Sequence, residues 1–118
     1  MVLINKQTGT VIASEVFVAD KFWPKFWGLQ FKKSIPDDFA YIILGCRSIH
    51  TCFMRFNLDA VFVDRRLKLI KVYRNLKPFS VTPLVKDAYA VIELKHGRLD
   101  IEPGDGLGLI NDTPVVSL

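Results

Sequence analysis

The chain has 118 residues, half of them hydrophobic and 12% aromatic, and carries a formal net charge of +4. This length suits a single domain with one core, and the high apolar content excludes an intrinsically disordered protein. The opening residues lack the basic segment, the long apolar run and the cleavage pattern of a signal peptide. We therefore expect one cytoplasmic, soluble domain over residues 1–118.

Neither a membrane span nor a disulfide framework is indicated by the sequence. The longest uninterrupted apolar stretch, Phe39 to Cys46, is far shorter than the roughly 20 residues of a membrane-spanning helix. Cys46 and Cys52 are the two cysteines, and in a reducing compartment they are expected to be thiols. We expect no membrane span.

A strand and a helix are predicted in the first quarter of the chain. Val11 to Val18 is rich in β-branched residues and partly alternating, which predicts a strand. The segment from Asp20 to Gly28 predicts a short helix, because Asp20 is a good N-cap and Gly28 can adopt the left-handed conformation that ends a helix. Its broad aromatic face indicates that this helix packs against a sheet.

Four strands are predicted in the middle and later parts of the chain. Residues 39–45 are typical of a buried strand, and residues 56–64 are apolar on both faces, which indicates a central strand. The apolar phase of residues 67–76 slips from odd to even positions and predicts a β-bulge. Residues 88–95 predict an amphipathic strand with Glu93 opposite its apolar face.

These segments together predict an α+β fold. The glycines between residues 96 and 110 indicate tight turns, and residues 113–118 predict an edge strand. The expected architecture is a single compact domain with a mostly antiparallel, curled or barrel-like β-sheet and one or two short helices.

Residues 46–59, CRSIHTCFMRFNLD, concentrate reactive side chains in an otherwise apolar region. Cys46, His50, Cys52 and Met54 would form a soft-donor set on one face of a strand. Positions i and i+4 of an extended strand lie about 13 Å apart, so Cys46 and His50 cannot share a metal ion unless the chain bends. We expect neither a metal nor a cofactor.

A Cys–His–Asp nucleophilic site is one alternative for this stretch. Cys46 or Cys52 would attack, His50 would act as the base and Asp59 would orient it. This arrangement describes a hydrolase or a thiol-dependent enzyme. It requires the chain to turn near residues 55–57, because Asp59 has the opposite parity to His50 along a strand. We favour a protein without catalytic activity.

The favoured hypothesis is a small non-catalytic module that binds an unknown small ligand or protein at this polar cluster. A buried Asp59 must be paired, and Arg55 or a charged His50 is its expected partner. Arg55 is suited to hold a carboxylate or phosphate with two hydrogen bonds, and Phe53 or Phe79 would supply an apolar wall. The candidate ligand-binding residues are Cys46, His50, Arg55, Asp59 and Glu93.

Six basic residues and no acidic residue lie between Arg65 and Lys77. Such a segment can attract nucleic acid, an acidic partner or a lipid surface, and binding of nucleic acid or an acidic partner through it is the second alternative function. The interleaved apolar residues instead indicate a solvated hairpin whose charge is balanced by acids elsewhere in space. We therefore expect no nucleic-acid partner.

Several motifs follow one another in a characteristic order: Trp23 with Trp27-Gly28-Leu29, Cys46 before Ser48-Ile49-His50-Thr51, Phe53-Met54-Arg55-Phe56, Leu58 to Asp64, Leu76-Lys77-Pro78-Phe79, Val91-Ile92-Glu93-Leu94 with Gly97, and Pro103-Gly104-Asp105. In this combination the chain resembles domain of unknown function family 192. The resemblance covers most of the chain and implies a compact prokaryotic domain with a mainly antiparallel sheet. It implies no activity, because none is established for the family. Asn57, Gln30 and Lys95-His96 depart from the family pattern.

Overall fold

The computed structural model describes residues 1–19, 34–52, 54–97 and 101–110. Within these ranges the chain forms eight β-strands in two sheets. The strands are β1 (Val2–Asn5), β2 (Val11–Ala13), β3 (Glu15–Ala19), β4 (Phe39–Leu44), β5 (Leu58–Val63), β6 (Leu69–Leu76), β7 (Ala90–Lys95) and β8 (Leu107–Ile110).

The larger sheet has five strands in the order β3-β4-β7-β5-β6. β3 and β4 run parallel, and all other neighbours in this sheet are antiparallel. Every residue of β5 is buried, as are the first five residues of β7. The prediction of a central strand within residues 56–64 is therefore confirmed. β7 is not amphipathic as expected, because the face that carries Glu93 is covered as well.

Two separate cores cover the two faces of this sheet. The smaller antiparallel sheet, in the order β2-β1-β8, packs on one face through side chains such as Leu3, Ile12 and Leu107. On the other face, loop residues including Ile49 and Val85 cover the side chains of the sheet. Burial on both faces explains why the inner strands are almost continuously apolar.

The α+β prediction, with a curled or barrel-like sheet, is wrong. The described ranges hold an all-β arrangement with no helix, and its two sheets pack face to face rather than closing into a barrel. The prediction also lacked the smaller sheet. The glycine-rich segment that was expected to form tight turns contributes β8, which pairs with β1. The helix predicted from Asp20 to Gly28 and the strand predicted over 113–118 lie outside the described residues.

The single strand expected over Val11–Val18 is divided between the two sheets at Ser14. The Ser14 backbone N–H donates to Asp38 Oδ1 at 2.9 Å, and its hydroxyl donates to the same carboxylate. The Glu15 N–H donates to the Asp38 carbonyl oxygen at 3.0 Å. Asp38 directly precedes β4, so these bonds start β3 beside β4 and send β2 to the smaller sheet.

The irregularity predicted for residues 67–76 is present. Phe62 of β5 pairs with Lys71 of β6, whereas the next residue, Val63, pairs with Leu69, so Ile70 is an extra residue in β6. A β-bulge of this kind bends the strand that carries it. The change of apolar phase in the sequence is therefore caused by a β-bulge at Ile70, as predicted.

Candidate functional site

A cleft of about 540 Å³ lies at the end of the large sheet where β4 and β5 finish and β7 begins. Two backbone hydrogen bonds join the three strands there, from the Gly45 N–H to the Tyr89 carbonyl and from the Tyr89 N–H to the Val63 carbonyl. The volume falls within the roughly 300–1,000 Å³ typical of small-molecule sites. The lining residues are Gly45, Arg47, Asp64, Arg65, Arg66, Lys86, Asp87, Ala88 and Tyr89.

The charge of the cleft is predominantly positive. Four cationic side chains line it against two carboxylates. Asp64 is engaged in the turn that follows β5, where its Oδ1 accepts the backbone N–H groups of Arg66 at 2.8 Å and Lys68 at 2.9 Å. A carboxylate that caps a turn offers less of its charge to the cleft. The arrangement favours an anionic group.

Two further contacts help to place Arg65 and the Arg47 backbone at the cleft. The Arg65 guanidinium lies 4.6 Å from the centroid of the Tyr89 ring, within the range of a cation–π interaction. The Val85 N–H donates to the Arg47 carbonyl at 2.8 Å, which places Arg47 beside the segment that leads to Lys86. Three chain segments distant in sequence therefore present cations to one space.

Sequence reasoning did not single out this cluster. In the sequence, Arg65 and Arg66 stand out only as part of a basic segment, and Arg47 and Lys86 belong to no motif. The signal was available: each of these residues lies within a few positions of an end of a buried apolar strand. Side chains at neighbouring strand ends meet at one edge of a sheet, but the strand order must be known before they can be grouped.

Asp59 is buried, with 1% of its surface exposed, and is fully engaged on one face of the sheet. Its Oδ1 accepts the Asn75 N–H at 2.7 Å and lies 2.8 Å from His96 Nδ1, and its Oδ2 accepts the Gly97 N–H at 3.3 Å. The expectation that Asp59 is paired is confirmed. The expected partners, Arg55 and His50, are wrong; the side-chain partner is His96, which departs from the family pattern.

Glu93 faces the opposite side of the sheet from Asp59. Glu93 pairs with Tyr41 of β4 and with Ala60 of β5, and Ala60 is the residue after Asp59. Because successive side chains of a strand point to opposite faces, Glu93 and Asp59 cannot contact one ligand from the same side. The two residues do not belong to one site.

The environment of Glu93 is apolar. Its Oε1 is buried and has no hydrogen-bond partner among the residues that the structure describes. Burial raises the pKa of the Glu93 carboxyl from its ordinary value of 4.5 to about 8. Burial, and to a smaller extent the charge of Glu93, also raises the pKa of Tyr41. At neutral pH the carboxyl group is therefore mostly protonated, and its burial does not place a full charge in the core.

The segment Ser48-Ile49-His50-Thr51 pairs with residues 79–85. The Thr51 N–H donates to the Ser80 carbonyl and the Thr82 N–H donates to the Ile49 carbonyl. His50 and Val81 form an isolated antiparallel bridge, and both side chains are exposed. The polar side chains of Thr51 and Thr82 are buried between the two segments. This segment therefore acts as a scaffold for the 79–85 loop.

The remaining predicted residues, Cys46 and Arg55, lie on either side of the segment Ser48-Ile49-His50-Thr51. The Cys46 thiol donates to the Ser48 carbonyl at 3.0 Å, and the Arg55 side chain is exposed. None of Cys46, His50, Arg55, Asp59 or Glu93 lines the 540 Å³ cleft. Their roles as ligand-binding residues, and that of Cys46 as a nucleophile, stay predictions. Phe53, the proposed apolar wall, lies outside the described residues.

The hydroxyl of Thr51 is expected to contribute to stability. Thr51 Oγ1 donates to the Lys77 carbonyl at 2.6 Å and accepts the Ser80 N–H at 2.8 Å. Thr51→Val keeps the shape but leaves both backbone groups without their partner, so we expect a loss of about 1–3 kcal/mol in the free energy of unfolding, measured with urea. Thr8→Val, at an exposed hydroxyl, is the control, and equal losses in the two variants would contradict the scaffold role.

Within the described ranges, no group of three or more His, Cys, Asp or Glu side chains is placed to hold a metal ion. In the same part of the chain, no helix has the length and apolar character needed to cross a bilayer.

Comparison with known proteins places the chain in an uncharacterised group. A UPF0127 protein of Pyrococcus furiosus is 30% identical over 111 residues, which cover 89% of this chain and 95% of that protein. A UPF0127 protein of Thermococcus sibiricus is 28% identical over 102 residues, covering 83% of this chain. The chain spans 66% of the length of that relative.

A solved structure shares the fold. A protein of unknown function from Novosphingobium aromaticivorans superposes with a TM-score of 0.75 at 24% identity, covering 92% of this chain and 83% of its own. The model of the DUF192 family, described as an uncharacterized ACR, matches residues 3–109. A match over this much of the chain shows that the protein belongs to the DUF192 family.

Proposed function

We propose that this protein is a small non-catalytic binding module whose ligand carries an anionic group. The observation that carries the proposal is the convergence of Arg47, Arg65, Arg66 and Lys86 on one 540 Å³ cleft. Arg47 belongs to the 46–59 stretch, so the proposed site lies where that stretch meets the turn between β5 and β6.

The types of residue in the cleft suit a phosphate or a carboxylate. A guanidinium group presents a planar set of N–H donors that matches two oxygens of such an anion. The stacking of Arg65 on Tyr89 holds one guanidinium in place before a ligand arrives, which reduces the entropic cost of binding. The exposed rim makes the interaction sensitive to salt, because mobile ions screen surface charges within about 10 Å at 0.1 M.

The size of the cleft indicates a ligand larger than a single phosphate ion. A volume of 540 Å³ accommodates an anionic group together with a further polar or apolar portion. Tyr89 and Ala88 supply a less polar part of the lining. We expect a small organic phosphate or carboxylate, or the corresponding group of a larger molecule.

Titration calorimetry with inorganic pyrophosphate tests the proposal. Wild-type protein is expected to bind, and the double variant Arg47→Gln/Arg66→Gln is expected to bind about 100-fold more weakly, at about tenfold for each charge-assisted hydrogen bond lost. The matched control is Arg55→Gln, because Arg55 is exposed and lies in the same 46–59 stretch but does not line the cleft. Its affinity should equal that of the wild type.

Two outcomes would contradict the cleft as the site. One is the absence of pyrophosphate binding by the wild type at low salt. The other is a loss of binding in Arg55→Gln with none in the double variant, which would move the site to the exposed part of the 46–59 stretch.

A further inference from the structure

The loop of residues 79–84 exposes three large apolar side chains. Phe79 is 79% exposed, Val81 69% and Leu84 68%. We call these three side chains the apolar ridge. Exposing apolar groups to water is unfavourable, and contiguous apolar patches on a protein surface mark sites of contact with a protein or a membrane.

The ridge is held rigidly. Hydrogen bonds from the Phe79 N–H to the Thr51 carbonyl, from the Thr82 N–H to the Ile49 carbonyl and from the Val85 N–H to the Arg47 carbonyl anchor the loop along its length. The buried Thr51 and Thr82 side chains add further bonds within the same pairing. The backbone of the loop is therefore anchored in a conformation that presents these apolar side chains outward.

The backbone at the tip of the ridge is strained. Phe79 has a φ of 63°, in the left-handed region that bulky residues rarely adopt. Conformations of this kind cost of order 1–3 kcal/mol and persist where the surroundings enforce them, often at functional sites. Here the hydrogen bond from the Phe79 N–H to the Thr51 carbonyl holds Phe79 in this conformation, in which its phenyl ring is exposed.

Two cationic residues flank the ridge along the chain: Lys77 lies two residues before Phe79, and Lys86 lies two residues after Leu84. No acidic residue lies between Asp64 and Asp87, a segment that includes the ridge and seven lysine and arginine residues. All seven are exposed. Apolar side chains that insert between lipid tails, with cations behind them that reach the headgroups, match the layered chemistry of an anionic bilayer surface.

The ridge and the cleft adjoin each other. Leu84 precedes Lys86 of the cleft by two residues, a span of about 7 Å in extended chain. Arg47, which lines the cleft, accepts the Val85 N–H of the ridge loop. An anion bound in the cleft would therefore lie close to any surface on which the ridge rests.

We propose that the protein docks on membranes that contain anionic phospholipids, with the apolar ridge in the bilayer interface and a lipid phosphate in the cleft. This inference rests on the proposed anion-binding function of the cleft and assigns the anion to a lipid headgroup. Phe79 is the single aromatic member of the ridge, and aliphatic Val81 and Leu84 suit acyl chains better than stacked nucleobases.

Cosedimentation with vesicles tests the inference. The probes are vesicles of phosphatidylcholine alone and of phosphatidylcholine mixed with phosphatidylglycerol. We expect wild-type protein to bind only the mixed vesicles, and to do so more weakly as salt rises. The ridge variant Phe79→Ser/Val81→Ser/Leu84→Ser is expected to bind them at least about tenfold more weakly, since each of the three loses apolar surface.

Two controls accompany this variant. Val11→Ser/Ile110→Ser removes two other exposed apolar side chains, on the small sheet, and should bind vesicles as the wild type does. The ridge variant should also retain the wild-type affinity for pyrophosphate, because its substitutions spare the cleft cations. That retained affinity shows that the variant is folded.

The outcomes separate the two proposals. Binding of pyrophosphate without binding of mixed vesicles overturns membrane docking and leaves the anion-binding function standing. Failure to bind either probe overturns both. Equal vesicle binding by the ridge variant overturns the role of the ridge. A wild-type dimer that the ridge substitutions convert to a monomer, with no vesicle binding, identifies the ridge as a protein interface instead.

Discussion

Asp59→Ala is expected to lower the free energy of unfolding by about 2–4 kcal/mol. The Asp59 carboxylate accepts hydrogen bonds from the backbone N–H groups of Asn75 and Gly97 and lies within 2.8 Å of His96 Nδ1. These contacts tie the end of β6 and the residues after β7 to the buried strand β5. Alanine removes the acceptor and leaves an apolar gap in a fully buried strand.

The conformation of Asn75 adds to this expected loss. Asn75 has a φ of 58°, and its N–H makes the shortest of the Asp59 bonds. Without that bond the left-handed conformation of Asn75 has lost one of the contacts that enforce it. Asp59→Asn should lose less stability than Asp59→Ala, because an amide oxygen still accepts part of the bonding.

Urea unfolding of the two Asp59 variants beside Asp37→Ala measures the effect. Asp37 forms an ion pair with Lys95 at 3.0 Å, but both side chains are substantially exposed. Exposed pairs contribute about 0–1 kcal/mol, so this control should change stability little. If Asp59→Ala and Asp37→Ala lose the same amount, the cluster around Asp59 does not hold the strands together.

The pH dependence of stability is expected to show the burial of Glu93. The pKa of its carboxyl is about 8 in the folded protein against an ordinary 4.5. Between these values the unfolded chain has released the proton while the folded protein retains it. Stability must then fall as pH rises, because the folded state binds more protons.

The size of the effect is large for a single group. Below pH 4.5 both states are protonated and the contribution of Glu93 is fully present; above pH 8 its loss is complete. At pH 7 the loss amounts to about 3 kcal/mol, from 1.36 kcal/mol for each pH unit above 4.5.

Glu93→Gln isolates this contribution, since it removes the ionisable group and keeps the size of the side chain. Stability profiles of the wild type and the variant, measured from pH 5 to pH 8, should diverge steadily in favour of the variant. Contributions that do not depend on pH, such as an amide group left without a partner in the variant, do not affect the slope of the free energy of unfolding against pH. Parallel profiles would show that Glu93 is ionised, or solvated, in the folded protein.

Much of the larger sheet could be predicted from the sequence. The continuous apolar character of β4 and β5 and the phase slip in β6 are properties of single segments, so periodicity reveals them. The division of residues 11–19 at Ser14 could not be predicted in this way. It depends on the bonds to Asp38, which lies 24 residues further along the chain.

Two of the three strands of the smaller sheet were not predicted, because they are short. β1 and β8 have four residues each, too few for alternation to be informative, whereas β2 lies within the strand predicted over Val11–Val18. Gly106 and Gly108 also gave β8 the appearance of a turn. The pairing of β8 with β1, about a hundred residues earlier in the chain, is a tertiary interaction that no local pattern records.

The cleft could not be predicted from the sequence for a related reason. Residues 46–59 indicate a site because reactive side chains are adjacent there in sequence. In the folded sheet, however, the alternation of side chains places Asp59 and Glu93 on opposite faces. The cleft instead gathers residues from positions 45–47, 64–66 and 86–89. Only the strand order β4-β7-β5 brings these three segments together.

Backbone amide chemical shifts recorded during a titration with inorganic pyrophosphate test most directly whether the cleft holds an anion. Saturable shifts are expected at Gly45, Arg47, Arg65, Arg66 and Tyr89, with little change at His50, Arg55, Asp59 and Glu93. Shifts concentrated on the second set, or none at any residue at low salt, would contradict the claim.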